Sequence, residues 1–214
     1  MNQYDYPQRD YEPIQPRSGF RELLKKIWAP IAVLLGVLVK IGSFAKFAGI
    51  FVAFGGYALI WGWKFALGVI VLIFLHEMGH FIEAWREGLR PSWPVFIPFL
   101  GAYVRYTGGN AWQTARVALA GPILGGIAAL GFYVVGRSQD SQLLEALAYF
   151  GFFLNLLNLL PVGILDGGAI WRSTRYLWRG HAFAQSLVSG VLYAGTAVFL
   201  AIGAYVAYLP QHRL

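Results

Sequence analysis

Apolar residues fall into long runs separated by short polar or proline-rich gaps. A helix that crosses a bilayer needs roughly 20 apolar residues. The runs that approach this length are 47–63, 65–84, 111–135, 143–160 and 183–209. A shorter run at 27–39, with Pro30 near its start, favours a segment along the interface or tilted partly into the bilayer. The pattern predicts an all-α polytopic membrane protein with about five to six membrane-embedded helices.

The gap between the runs at 65–84 and 111–135 breaks the helical pattern. Pro91, Pro94 and Pro98 exclude a regular helix there, and alternating apolar residues flank Gly101. We predict a short β-hairpin, or an irregular membrane-associated loop, in this gap. The later gap at 162–168 is rich in glycine and leads to a short basic stretch.

Polar tails flank the apolar core. Residues 1–22 carry three prolines and no apolar run, and residues 210–214 follow the last run. We therefore predict a disordered N-terminal tail and a C-terminal tail. Residues 23–209 show no internal repeat and are expected to form a single transmembrane core. Its gaps are too short for an accessory domain, so we expect a near-minimal core.

Composition supports a membrane protein and narrows its chemistry. The chain is 57% hydrophobic and 13% charged, about half the charged share of roughly 25% in soluble domains. The absence of cysteine excludes disulfides, a thiolate nucleophile and Cys-based metal sites. The net charge of +7 is scattered through the gaps, without a basic face interleaved with aromatic residues. The expected partner is therefore the lipid bilayer, and nucleic acid is not expected.

Arginines in two gaps orient the predicted spans. One group follows the run at 65–84 and the other precedes the last run, and the positive-inside rule places both on the cytoplasmic side. The arginines in question are Arg86, Arg90, Arg105, Arg116, Arg172, Arg175 and Arg179. We expect a multi-pass protein of a prokaryotic cell membrane, with its active site towards the cytoplasmic side.

Acidic residues are nearly absent from the apolar runs. Between residues 23 and 139 the acids are Glu77, Glu83 and Glu87, and beyond residue 145 the one acid is Asp166. An ionisable group at membrane depth costs on the order of 2.5–3.5 kcal/mol by insertion scales. Acids retained in such a sequence are therefore candidate functional residues.

Glu77 stands in the pattern H-E-x-x-H, which occupies residues 76–80. On a helix, His76 and His80 share one face at i and i+4 and can bind one zinc ion. The glutamate beside them can then act as a general base towards a water molecule. The alternatives are a polar patch that pairs helices, and a quinone or haem site that uses the same histidines.

Two histidines leave a zinc site one protein ligand short. His181 and His212 flank the last run at its expected interfaces, whereas Asp166 follows Pro161 in a glycine-rich break. Broken backbone at membrane depth is tolerated where it is buried or lines a cavity, so Asp166 is the better third ligand. The alternative is that Asp166 caps the following helix as its N-cap residue.

Together these residues resemble the site-2 protease family of intramembrane zinc metalloproteases. The resemblance covers about residues 65–175 and rests on the segments 76–80, 120–122 and 158–167. It implies one Zn²⁺ ion as the cofactor. The residues that match the family's zinc ligands and catalytic base are His76, His80 and Asp166 for the ligands and Glu77 for the base.

Asn158 matches the asparagine of the family's motif in the segment 158–167. The resemblance therefore implies that Asn158 holds or polarises the substrate carbonyl near the metal. Hydrogen bonding between helices is the alternative role, and Asn155, one turn earlier, can serve it too. Gly121 and Gly125 form a small-xxx-small pair that favours close helix packing.

The function implied by the resemblance is zinc-dependent hydrolysis of peptide bonds in or near transmembrane segments of membrane proteins. The segment 92–106 can offer a strand edge to a locally unwound substrate helix, with a plain loop as the alternative. The competing functions are a metal-binding membrane protein without proteolytic activity, and a transporter whose His, Glu and Asp form a proton or metal path. The complete ligand set argues against the former, and the lack of two similar halves argues against the latter.

Overall fold

The computed structural model describes residues 49–97 and 101–209. Within this part of the chain there are six helices and a small two-stranded sheet. The helices are α1 (Gly49–Trp61), α2 (Trp63–Arg86), α3 (Ala111–Ser138), α4 (Gln142–Asn158), α5 (Asp166–Arg179) and α6 (Phe183–Tyr208). The strands are β1 (Val95–Ile97) and β2 (Gly101–Tyr103). The predicted all-α membrane-protein class is confirmed.

Among the described helices, α2, α3 and α6 are long and apolar enough to cross a membrane, with mean hydropathy of 1.9 each. They correspond to the predicted runs at 65–84, 111–135 and 183–209. The helices α1 and α4 are shorter, and α4 has 17 residues. The predicted segment at 27–39 and the predicted tails at 1–22 and 210–214 lie outside the described residues.

Local chemistry sets the helix boundaries. Helix α3 begins with a capping box, in which the Asn110 side chain accepts from the Gln113 N–H and the Gln113 side chain accepts from the Asn110 N–H. The N-cap residue of α4 is Ser141, whose hydroxyl accepts from the Leu144 N–H. Helix α4 ends shortly before Pro161, which cannot donate to a continuing helix.

Helix α3 lies at the centre and packs against α2, α4, α5 and α6. Gly79 allows the closest approach between α2 and α3, because a Cβ atom built there would lie 2.2 Å from the Ala120 carbonyl oxygen. Most of the fully buried side chains between these helices are apolar. These include Leu72, Leu147, Phe152, Ile170 and Leu200. The approach at Gly79 brings α3 against the helix turn that carries the two histidines.

The predicted hairpin is confirmed as the antiparallel pair β1 and β2, in register Val95 to Tyr103 and Ile97 to Gly101. Gly101, expected at the turn, instead begins β2. The region of α5 was predicted as a basic stretch of low hydropathy, and a helix there was expected only in the alternative in which Asp166 caps it. The structure shows an amphipathic helix that buries Ile170 and Leu177 and exposes its arginines.

Candidate metal centre

His76, Glu77 and His80 lie on the inner side of α2. Their exposed fractions are 4%, 6% and 8%. The residues are spaced so that both imidazoles point to the same side, and their ring centroids lie 4.9 Å apart. The H-E-x-x-H segment therefore presents two imidazoles together within the helical bundle.

Asp166 reaches these histidines from the first turn of α5. Its Oδ2 atom lies 3.2 Å from His76 Nε2, and its Oδ1 atom lies 3.3 Å from His80 Nε2. The N-cap position belongs to Leu165, so Asp166 is not the N-cap residue. One ligand atom from each of the three residues lies within 4.8 Å of the others. The structure thus brings together the three residues that the sequence selected.

Glycines directly after Asp166 let α5 begin against the turn that follows α4. A Cβ atom built on Gly167 would lie 2.0 Å from the Leu159 carbonyl oxygen, so the turn requires a residue without a side chain. The same carbonyl accepts a 2.6 Å hydrogen bond from the Tyr193 hydroxyl of α6. Arg172 of α5 donates to the Gly163 carbonyl at 2.8 Å. These contacts fix the segment that carries the carboxylate.

The outer nitrogen of each imidazole has an acceptor. His76 Nδ1 lies 2.7 Å from Asn155 Oδ1, and His80 Nδ1 lies 2.8 Å from the Val117 carbonyl oxygen. Asn155 Nδ2 donates to the Gly151 carbonyl at 2.7 Å, which identifies Oδ1 as the atom that faces His76. Because both partners can only accept, each Nδ1 carries a proton, and the neutral form of each ring has its lone pair on Nε2.

Those lone pairs converge with the carboxylate. The two Nε2 atoms lie 3.1 Å apart, and in the part of the chain that the structure describes Asp166 Oδ2 is buried without a hydrogen-bond partner. With both rings neutral, the two Nε2 lone pairs and the carboxylate would repel one another, and a bound cation would offset that repulsion. Two imidazole nitrogens and one carboxylate form the donor set of a zinc site that keeps a position open. The residues therefore fit a zinc ion.

The residues that follow β2 lie beside Glu77 and Asp166. The Val104 N–H is within hydrogen-bonding reach of the Glu77 carboxylate. Tyr106, two residues on, packs against Ala84 and Val117. Burial raises the pKa of Tyr106, and the nearby Asp166 carboxylate raises it further. The Tyr106 phenol is therefore a neutral hydrogen-bond donor at physiological pH.

Among the described residues, Asn158 and His181 make none of the hydrogen bonds within this cluster. Asn158 is the last residue of α4 and is partly exposed, and the hydrogen bond to the cluster comes from Asn155 instead. His181 lies in the turn after α5, against the ring of Phe183. His212 is outside the described residues.

Sequence reasoning gave Asn155 a role in helix pairing and did not identify its partner. The structure shows that the partner is His76, so the hydrogen bond joins α4 to α2 within the site. The sequence carried one clue, which is an amide four residues after Gly151 in an apolar helix. Such an amide must find an acceptor and a donor inside the protein.

Two glycines of α3 leave room for site side chains. A Cβ atom on Gly121 would lie 2.3 Å from His80 Nε2, and one on Gly125 would lie 2.2 Å from Asn155 Oδ1. The small-xxx-small pair therefore does allow close packing, as predicted. Its immediate neighbours are site side chains, so it also shapes the site.

An ion cluster joins α2 to α3 one turn beyond the histidines. Arg116 pairs with Glu83 through Nη2 and with Glu87 through Nη1. The Glu83 side chain is 11% exposed and also lies 3.5 Å from Arg86. Arg116 directly precedes Val117, whose carbonyl accepts from His80. The two acids that the zinc motif did not use therefore hold the α3 segment that orients His80.

Comparisons with known proteins find a peptidase family and relatives named as zinc metalloproteases. A sequence profile described as Peptidase family M50 matches residues 64–142 and 137–202. A Synechocystis protein that carries a zinc metalloprotease name, sll0528, is 30% identical over 125 residues, which are 56% of this chain and 33% of that protein. A Mycobacterium tuberculosis protein that carries a zinc metalloprotease name, Rip3, is 30% identical over 163 residues, 69% of this chain and 40% of that protein. The chain thus spans a third to two fifths of the length of these relatives.

Proposed function

Because the chain belongs to peptidase family M50, which is the site-2 protease family, we propose that it is a zinc-dependent endopeptidase that cleaves peptide bonds in or near transmembrane segments. The observation that carries the proposal is the convergence of the His76 and His80 Nε2 atoms with the Asp166 carboxylate beside Glu77. The substrate class is a membrane protein with a transmembrane helix, and the second partner is the lipid bilayer.

His76, His80 and Asp166 would hold the ion. When bound, zinc supplies Lewis acidity, which polarises a carbonyl and lowers the pKa of water to about 7. The three ligands come from two helices, α2 and α5, so the site depends on the packing of both against α3. One coordination position remains for solvent or substrate, as in catalytic zinc sites.

Glu77 moves the proton. It lies next to His76 on α2, where its carboxylate can accept a proton from the attacking water as the oxygen bonds to the carbonyl carbon. As the carbon–nitrogen bond breaks, the same carboxyl group can deliver that proton to the leaving amine. Burial keeps bulk water away from this exchange, since Glu77 is 6% exposed.

We assign substrate positioning to Asn158 and to the β1–β2 hairpin. A helical substrate hides its carbonyls in its own hydrogen bonds and must be unwound before cleavage. The β1–β2 pair can then add the unwound segment as a further strand, and β2 leads directly to Val104 beside the base. The Asn158 amide, at the end of α4 before the turn to Asp166, can hold the substrate carbonyl.

The charge distribution supports an orientation. Arg86 ends α2, and the arginines Arg172, Arg175 and Arg179 lie along α5, which begins at Asp166. Lys64 lies at the opposite end of α2. By the positive-inside rule the site then lies towards the cytoplasmic side of the membrane. We propose a prokaryotic cell membrane as its location.

The test is purification in detergent, metal analysis and cleavage of a model transmembrane helix. Wild type should bind one zinc ion per chain and cleave the helix. Glu77→Gln should keep the zinc and lose cleavage, because an amide cannot accept the proton. Asp166→Ala should lose both, since it removes a ligand.

The matched control is His181→Ala, because His181 lies in an exposed turn apart from the site. It should keep both zinc and cleavage. Zinc in wild type and Glu77→Gln with cleavage by neither would identify a metal-binding protein without proteolytic activity and refute the proposal. Zinc lost in His181→Ala but not in Asp166→Ala would refute the ligand assignment.

A further inference from the structure

We propose that Asn155 is a positioning residue for zinc, which fixes the tautomer and ring orientation of His76 and thereby sets the affinity of the site. The proposal rests on the proposed function, because it concerns the same zinc ion. It extends that function to a residue outside the H-E-x-x-H and Asp-Gly motifs, one helical turn before the motif asparagine.

The amide of Asn155 is held at both ends. Its Nδ2 donates to the Gly151 carbonyl at 2.7 Å, and its Oδ1 accepts from His76 Nδ1 at 2.7 Å. A reversed amide would place an NH₂ group against the Nδ1–H and an oxygen against a carbonyl oxygen. Both contacts would then be repulsive, so one orientation is selected. His76 is consequently held with its Nε2 lone pair towards Asp166.

Packing leaves the amide no alternative partner. Asn155 is 0% exposed, so water does not compete for its oxygen. On the α3 side, Gly125 leaves the space that the amide fills, since a Cβ atom there would lie 2.2 Å from Oδ1. The hydrogen bond therefore forms inside a dry contact between α2, α3 and α4, where such bonds orient strongly.

The two histidines differ in how they are held. His80 donates to a backbone carbonyl, that of Val117, which no side-chain substitution removes. His76 depends on one side chain from another helix. The orientation of His76 is therefore sensitive to a single substitution on α4. Loss of such an outer partner typically lowers metal affinity by 10–100-fold.

Two substitutions separate positioning from helix packing. Asn155→Asp keeps an oxygen that accepts from His76 Nδ1, and the second oxygen of its buried, protonated carboxyl group can donate to the Gly151 carbonyl as Nδ2 does. Asn155→Leu keeps the volume and adds apolar packing, but it removes the acceptor. If Asn155 only pairs helices, leucine should serve as well as aspartate or better, because it buries no polar group.

The experiment measures zinc affinity of the full chain in detergent by competition with a chelator, and the absorption spectrum with Co²⁺ as the probe metal. Asn155→Leu should bind zinc about 10–100-fold more weakly and alter the Co²⁺ spectrum. Asn155→Asp should remain within about threefold of wild type in affinity. Gln142→Leu, at the exposed start of the same helix, is the matched control and should keep wild-type zinc affinity.

A second variant guards against misfolding. Gly125→Ala leaves Asn155 in place but pushes its oxygen away from His76, so it should also weaken zinc binding. Melting of each zinc-free variant shows whether it is folded. Wild-type affinity in both Asn155→Leu and Gly125→Ala would overturn the proposal, as would equal loss in Asn155→Asp and Asn155→Leu. If His80→Ala and Asp166→Ala also kept zinc, the proposed site itself would have failed instead.

Discussion

Gly121 of α3 lies directly against the ring of His80, because a Cβ atom built on Gly121 would stand 2.3 Å from both Cε1 and Nε2. The backbone of α3 therefore borders the metal site next to the histidines of α2. An added methyl group must displace either the imidazole or α3. Since Nε2 is the atom that faces Asp166, the displacement acts on the metal ligand itself.

We therefore expect Gly121→Ala to lower zinc affinity by about tenfold or more, as misplacement of a ligand does. The measurement is chelator competition in detergent. Gly131→Ala on the same helix is the control, because a Cβ atom there meets nothing within 4 Å. The control should keep wild-type affinity and gain roughly 0.5–1 kcal/mol of stability from the lower chain entropy of alanine. Equal zinc affinity in the two variants would contradict the contact.

Removal of zinc should lower the melting temperature. The ligands join α2 to α5, so zinc binds the folded chain and not the separated helices. Free zinc at 100 times its Kd stabilises a fold by about 2.7 kcal/mol. Thermal unfolding with and without a chelator measures the difference. In Asp166→Ala the chelator should have no effect, and a wild type that melts alike in both conditions would argue against the site.

The site was more predictable from the sequence than its surroundings. His76, Glu77 and His80 share a helix, so their spacing alone brings them together. Asp166 could be selected because acids are rare in the apolar runs. The role of Asn155 could not be derived in the same way. It depends on which residue of α4 faces α2, and the packing of two helices decides that.

The helices also differ in how far the sequence predicted them. Runs of apolar residues predicted α2, α3 and α6, because a span in lipid must be both helical and apolar. Helix α5 is not among the predicted apolar runs because Arg172, Arg175 and Arg179 lower its hydropathy. Its helical period is visible only once the buried face, which includes Ile170 and Leu177, is known. Such a helix depends on tertiary contacts more than on its own sequence.

The ion cluster offers a test of stability. Arg116→Leu leaves Glu83, with an 11% exposed side chain, without its cross-helix partner. Loss of one partner of a largely buried pair is costly, and we expect about 2 kcal/mol, or roughly 4–8 °C in Tm for a chain of this size. Arg86→Leu is the matched control, because Arg86 is 64% exposed and its contact to Glu83 is 3.5 Å long. It should change stability by less than about 1 kcal/mol. Equal shifts in Tm would mean that the Arg116–Glu83 pair stabilises the fold no more than the Arg86–Glu83 contact does.

The hairpin offers a test of substrate binding that leaves the metal untouched. Tyr103 pairs with Val95 at the end of β2, one residue before the Val104 N–H that faces Glu77. Tyr103→Pro removes a backbone donor and fixes φ, so the strand can no longer pair regularly. If an unwound substrate adds to this sheet, the variant should lose at least about tenfold in kcat/KM on a transmembrane helix while its zinc affinity stays within about twofold of wild type.

Tyr103→Phe is the control for the side chain, since it keeps the ring and the backbone N–H and loses only the 3.1 Å hydrogen bond from Arg105. That bond is exposed and worth little, so cleavage should stay within about twofold of wild type. A plain loop would tolerate both substitutions. Unchanged cleavage by Tyr103→Pro would therefore remove the hairpin from the substrate-binding site, whereas loss of zinc in that variant would show that the hairpin supports the metal ligands instead.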